Sequence, residues 1–323
     1  MKRLFSGIQP SGELHLGNYL GAVRNWVRLQ DEYACFYGIV DYHAITQPYE
    51  PAEMPRRAFD MAVGLLAAGI DPRKAVLFRQ SDVPEHTELA WILASVTPMG
   101  DLGRMTQFKE KSEQHQSVNA GLFTYPVLQA ADILLYKAEV VPIGDDQDQH
   151  LELAREIARR FNAKYGKTFP EPATLHSDVP RLMGLDGKRK MSKSMGNTIA
   201  LLEGRDAVWE KLRPAMTDEQ RQRRTDPGRP EVCNIYTMHK AFTPLPRTAE
   251  IERDCRSAAI GCIDCKKVLL ETMAAALAPI RERARELAAH PEQVKAVLDD
   301  GAARCRAIAR ETLREVRGKM GLA

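Results

Sequence analysis

Short strand-like runs alternate with helical patterns through the first half of this chain, and no other feature narrows its fold as much. Leu4 to Ile8, Cys35 to Val40, Ala75 to Phe78 and Glu139 to Ile143 read as strands. Between them, Leu16 to Leu29, Ala52 to Ala68 and Glu85 to Ser95 carry apolar residues at helical spacing. This alternation predicts an α/β domain built on a Rossmann-like, doubly wound parallel sheet, with ligands at the carboxyl ends of the strands. After about residue 200 the strand signals stop, and the chain reads as helical apart from a Pro-, Gly- and Arg-rich break at Arg221 to Pro230. A chain of 323 residues exceeds one compact domain. Two are expected: residues 1–200, and an all-helical domain over 201–323.

Composition narrows the class further. Hydrophobic residues make up 44% and charged residues 28%, the balance of a soluble globular enzyme. A net charge of only +3 means that a nucleic-acid partner has to be met by local patches. The basic start Met1-Lys2-Arg3 has no long apolar core behind it, and Glu13 and His15 arrive too soon for a signal peptide. The longest apolar run, Met61 to Ile70, ends at Asp71 and is too short to span a bilayer. A cytoplasmic protein with no membrane segment is expected.

Cys35 and Cys305 stand alone, whereas Cys233, Cys255, Cys262 and Cys265 are separated by 21, 6 and 2 residues. In a reducing compartment such a cluster points to metal binding rather than disulfides. Four thiolates ending in a C-x2-C suit either tetrahedral zinc or a 4Fe–4S cluster.

Two segments suit phosphate chemistry. Lys190-Met191-Ser192-Lys193-Ser194 offers two ammonium groups, two hydroxyls and backbone donors to a leaving group on which negative charge builds. Gly7-Ile8-Gln9-Pro10-Ser11-Gly12 leaves the first strand through a glycine-rich turn, and Glu13-Leu14-His15-Leu16-Gly17-Asn18 enters a helix. Such turns bring phosphates to backbone donors at a helix start. His15 adds a donor, Asn18 a polar contact, and Gly17 leaves space for a flat base. A third segment places Tyr125, Gln129 and Asp132 at i, i+4 and i+7, on one helix face if Pro126 opens that helix. An aspartate among Leu128, Ile133, Leu134 and Leu135 is costly to bury without a partner. A donor-only indole N–H would suit that carboxylate.

The His-x-Gly-Asn turn and the Lys-Met-Ser-Lys-Ser loop together resemble the two signatures of class I aminoacyl-tRNA synthetases. The first ends in Asn18 rather than His, a departure characteristic of the tryptophanyl branch, which the chain resembles over essentially its full length. Three further segments carry the resemblance: Val40-Asp41-Tyr42-His43-Ala44-Ile45-Thr46, Met105-Thr106-Gln107-Phe108-Lys109-Glu110-Lys111-Ser112 and Gly144-Asp145-Asp146-Gln147-Asp148-Gln149-His150.

The resemblance implies a tryptophan–tRNA ligase that makes tryptophanyl-AMP from L-tryptophan and Mg²⁺-ATP, then charges tRNA(Trp). Gln9, Pro10, Ser11, Gly17 and Asn18 would line the ATP site, with Gly144, Asp145 and Asp146 near the ribose and Leu182 against adenine. Lys190, Met191, Ser192, Lys193 and Ser194 would close on the phosphates, with His15, Lys190 and Lys193 as the catalytic groups. Asp132 would bind the indole, and Tyr125 and Gln147 the substrate's amino and carboxylate groups. Phe5, His43, Gln129 and Ile143 would complete the pocket. Tyrosyl enzymes carry a similar Tyr-x-x-x-Gln-x-x-Asp arrangement, so tyrosine activation is the rival within enzymes. A binding paralogue without catalysis is the rival outside them. A subset of tryptophanyl enzymes carries nearly this cysteine spacing, its first gap one residue longer, around a 4Fe–4S cluster beside the anticodon-binding region. That similarity favours iron–sulfur over zinc at Cys233, Cys255, Cys262 and Cys265. Arg213, Arg221, Arg223, Arg224 and Arg229 form a basic patch compatible with tRNA phosphates. The family is dimeric, and the apolar helices near Leu89 to Met105 would supply the interface.

Overall fold

The structure, a computed structural model, describes residues 1–106, 108, 119–144, 148–176, 182–192 and 195–322. Five strands form one parallel sheet: β1 (Arg3–Ile8), β2 (Ala34–Ile39), β3 (Val76–Arg79), β4 (Val140–Ile143) and β5 (Ala173–His176). Their order is β3-β2-β1-β4-β5, so the chain winds outward in one direction from β1 and then in the other from β4. That is the expected doubly wound α/β sheet, with its switch point between β1 and β4. Leu4 pairs with Cys35 and Ile8 with Ile39, which brings the carboxyl ends of β1 and β2 level.

The two faces of the sheet follow from the period-two alternation of strand side chains. Leu4, Cys35, Tyr37 and Leu77 point into a core shared with Trp26, Leu29, Met61 and Leu65. Phe5, Phe36, Val76 and Phe78 point the other way, into a core with Leu89, Leu134, Tyr136 and Leu313. β5 has no counterpart in the sequence reading. It is a four-residue strand, Ala-Thr-Leu-His, with no buried residue, and it gives no hydrophobic signal.

The helix expected over residues 16–29 is present in three pieces: Leu16–Asn18, a π-helical stretch Tyr19–Val23, and Arg24–Leu29. A wider π turn in such a helix commonly marks a functional wall. The expectation that Pro126 opens its helix is corrected, because Ala120–Leu135 begins six residues earlier and carries Pro126 inside it. Asn119 caps that start, its Oδ1 accepting from Leu122 N at 2.8 Å. The hydrogen bond lost at Pro126 is offset by burial of Leu122, Val127, Ala130, Ile133 and Leu134.

Beyond residue 200 every described element is helical, the main ones being Arg205–Leu212, Asn234–Phe242, Leu245–Arg256, Cys262–Ala289 and Pro291–Met320. Cys262–Ala289 packs against helix Met54–Ala67 of the α/β part. The last helix returns to β3 and to helix Glu85–Ala94. Arg306 Nη1 donates to the Asp82 carbonyl at 2.9 Å, and Lys137 pairs with Glu315 at 2.6 Å.

Candidate active site at the carboxyl ends of β1, β2 and β4

A cavity of about 390 Å³ opens where these three strands end. Phe5 to Gln9 form its floor, Val40 and His43 one side, and Val141 to Gly144 the other. The π-helical stretch contributes Gly21 and Ala22, flanked by Asn18, Asn25 and Trp26. Tyr125, Gln129, Asp132 and Ile133 line it from helix Ala120–Leu135, and Lys190 reaches it from the lysine-rich loop. Phe5, Gln9, Asn18, His43, Tyr125, Gln129, Asp132, Ile143, Gly144 and Lys190, all singled out from sequence, therefore share one cavity. Pro10, Ser11, His15, Gly17, Leu182, Met191 and Ser192 are not among its lining residues. Asp145, Asp146, Gln147, Lys193 and Ser194 lie outside the described residues, as does most of the segment 107–112.

Asp132 is buried to 1% exposure, with three donors around it. Its Oδ1 accepts from the Gln80 side-chain amide at 2.7 Å and from His86 Nδ1 at 2.6 Å, and its Oδ2 from His43 Nε2 at 2.8 Å. Burial alone would raise this carboxyl, but His86 and His43, by charge and hydrogen bond, bring it down to about 2. It is an anion held in an apolar helix by neighbours on three other segments. The Tyr125 hydroxyl lies 2.8 Å from His150 Nε2, and burial pushes its pKa up to about 12.

His15 caps the first helical turn. Its Nδ1 accepts from Asn18 N at 3.2 Å while Asn18 Oδ1 accepts from His15 N at 3.4 Å. That assignment leaves the ring proton on Nε2. A Cβ on Gly17 would come within 3.0 Å of the His15 ring and 3.2 Å of Met191 Cβ, so glycine lets the turn and the lysine loop close together. The base of that loop is held by Asn197. Its Oδ1 accepts from Ser192 N at 2.8 Å, and its amide donates to Asp186 at 3.1 Å and to the Lys190 carbonyl at 3.3 Å. Leu182 is buried and its carbonyl accepts from Met191 N at 3.4 Å.

Gln80, His86 and Asn197 were given no role from the sequence, and His150 was named only as the end of a segment that carries the resemblance. Each is a polar residue outside any periodic pattern. Only the fold shows that Gln80, His86 and His150 are buried to 1% exposure or less beside the pocket.

The four clustered cysteines are unpaired thiols. Burial pushes Cys265 up to about 12, and the neighbouring sulfurs of Cys233, Cys255 and Cys262 add to it. Arg221 Nη1 lies 3.7 Å from Cys255 Sγ, and His239 Nε2 lies 3.3 Å from Cys265 Sγ. Among the described residues no group of three or more His, Cys, Asp or Glu side chains is arranged to hold a metal ion. The basic patch is largely spent internally. Arg221 and Arg224 donate to the carbonyls of Ile260, Ala258 and Ala259, Arg229 grips Asp218, and Arg213 pairs with Glu210.

Residues 1–278 match the family described as tRNA synthetases class I (W and Y). The tryptophan–tRNA ligase of Deinococcus radiodurans is 53% identical over 99% of both chains. That of Caldanaerobacter subterraneus is 46% identical over 100% of this chain and 99% of its own. The crystal structure of Campylobacter jejuni tryptophanyl-tRNA synthetase complexed with ADP and tryptophan superposes with a TM-score of 0.91 at 38% identity, covering 99% of this chain and 100% of that one. On its sheet order, its cavity and these relatives, the chain belongs to the tryptophanyl branch of the class I tRNA synthetases.

Proposed function

We propose that the cavity is where L-tryptophan and ATP meet. The observation that carries this reading is that buried Asp132 lines one and the same space as Gln9, Asn18 and Lys190. The tryptophan carboxylate attacks the α-phosphorus of ATP, forms the mixed anhydride and releases pyrophosphate. No general base is needed, because a carboxylate is already ionised at neutral pH. The 2′- or 3′-hydroxyl of the terminal adenosine of tRNA(Trp) then takes the acyl group, and AMP leaves. Catalysis is positioning plus charge stabilisation. Lys190 and Lys193 act on the leaving pyrophosphate with His15, whose Nε2–H faces away from its capping contact; Mg²⁺ arrives with the ATP. Met191, Ser192 and Ser194 form the rest of that closing loop, and Pro10, Ser11, Gly17 and Leu182 back the nucleotide. Asp145 and Asp146 take the ribose side, while Gln147 and Tyr125 hold the substrate's amino and carboxylate groups. Phe5, His43, Gln129 and Ile143 surround the indole.

Pyrophosphate exchange measured with each amino acid in turn tests this. Tryptophan alone should support exchange, and exchange with tyrosine instead would overturn the reading.

The helices beyond residue 200 are the proposed anticodon-binding region. A 4Fe–4S cluster on Cys233, Cys255, Cys262 and Cys265 is proposed there as a structural group. Four soft sulfur donors without a carboxylate suit thiophilic iron better than a hard ion. Arg221, 3.7 Å from Cys255 Sγ, favours a thiolate there, against the burial and neighbouring sulfurs that raise the cysteines. Anaerobically purified protein should contain iron and absorb broadly near 400 nm (an approximate position typical of such clusters). Absence of both would remove the cluster. Unpaired cysteines accord with a cytoplasmic setting. No helix among the described residues is long and apolar enough to cross a membrane. Homodimerisation is proposed through the surface that carries Trp91, 81% exposed, and Met99, 75% exposed.

A further inference from the structure

Asp132 has more partners than a carboxylate that only meets a substrate would need. A carboxylate offers about four lone-pair positions. Gln80 and His86 occupy both on Oδ1, and His43 occupies one on Oδ2. One position on Oδ2 is left for a further donor, and Asp132 lines the cavity. His86 does not line it and has 0% exposure. Its ring is nevertheless fixed on every side. Nδ1 donates to Asp132, Nε2 lies 2.6 Å from the Tyr136 hydroxyl, and the ring stacks on Phe78 at 5.7 Å between centroids. The carboxylate can only accept, so His86 donates from Nδ1, and its Nε2 completes the ring's hydrogen bonding with the Tyr136 hydroxyl. Hydrogen bonds thus run from Tyr136 through His86 to the carboxylate.

We propose that His86 is a specificity-determining positioning residue of the amino-acid pocket. With Gln80 it pins Oδ1 so that the remaining lone pair of Asp132 Oδ2 faces the cavity, ready for a ring N–H. Without the Oδ1 donors the carboxylate is free to rotate onto His43, and the pocket loses its means of telling an N–H from an apolar ring edge. A site built around one hydrogen bond discriminates strongly against an analogue lacking it only while the unpaired acceptor is held in place. The inference rests on the reading of Asp132 as the partner of the substrate's indole.

The test is pyrophosphate exchange by the full chain with tryptophan and with benzothienylalanine, in which sulfur replaces the ring N–H. The wild-type chain should prefer tryptophan by at least about tenfold in kcat/KM. His86→Leu should cut that preference by about tenfold while leaving the KM for ATP within about twofold. His86→Asn, whose side-chain amide can stand where Nδ1 stood, should keep most of the preference. If His86→Leu does not fold, Gln80→Met, which removes the other Oδ1 donor without changing the volume much, should reduce the preference in the same way. A preference unchanged in the variants, or equal losses for tryptophan, its analogue and ATP, would overturn the positioning role. A wild-type chain without any preference would instead overturn the indole reading of Asp132, and the inference with it.

Discussion

Asp132 is a charge in a helix whose buried residues are mostly apolar, and its ionisation has a consequence for stability. Its folded pKa of about 2 lies below the ordinary carboxylate value near 4. For a depressed carboxyl the stabilisation is complete above the unfolded pKa and disappears as pH falls through the folded one. The difference in unfolding free energy between the wild-type chain and Asp132→Asn should therefore be greatest above about pH 4 and should narrow toward pH 2. Denaturant titrations at a series of pH values would show this, and a constant difference would mean that the carboxylate is not held ionised. The spacing of Tyr125, Gln129 and Asp132 was legible in the sequence because helical periodicity is local. Gln80, on the turn after β3, and His86, at the start of the next helix, were not, because their pairing with Asp132 spans 52 and 46 residues of chain.

Among the elements, the lysine-rich loop and the last helix each depend on one small contact. Asn197 ties Ser192, Lys190 and Asp186 together from a single side chain. A Cβ on Gly184 would sit 2.0 Å from Asn197 Nδ2, so this asparagine fills the space that glycine leaves. Asn197→Ala should lower kcat for pyrophosphate exchange by about tenfold, with the KM for tryptophan nearly unchanged, because the loop loses its base and not its lysines. Equal changes in both constants would count against that role. In the last helix, a Cβ on Gly301 would lie 1.9 Å from the Leu77 carbonyl oxygen. Backbone cannot move aside as a flexible side chain does, so Gly301→Ala should destabilise the chain by about 2 kcal/mol or more. An unchanged Tm would show that the helix can lift away from β3 at no cost. The two elements differ in legibility. The lysines and hydroxyls of residues 190–194 are visible in the sequence, whereas nothing in the pattern around Gly301 says which strand it touches.

For the molecule as a whole, Trp91 and Met99 are large apolar side chains left in solvent. Trp91→Glu should convert the proposed dimer to monomer in sedimentation velocity, and a wild-type-like mass for that variant would place the interface elsewhere. The parallel α/β sheet and the helical character beyond residue 200 were set by the sequence alone, since both come from local hydrophobic periodicity. So were the positions of the glycine turn and the lysine loop, whose residue types need no partner to be recognised. Tertiary structure alone decided the edge strand Ala173–His176, the start of the Pro126 helix at Ala120, and the internal use of the arginines at 213, 221, 224 and 229. It also decided which polar residues meet at Asp132. A short exposed strand, a proline tolerated by burial and a buried hydrogen bond all draw their energy from neighbours far along the chain, and a local pattern carries no record of them.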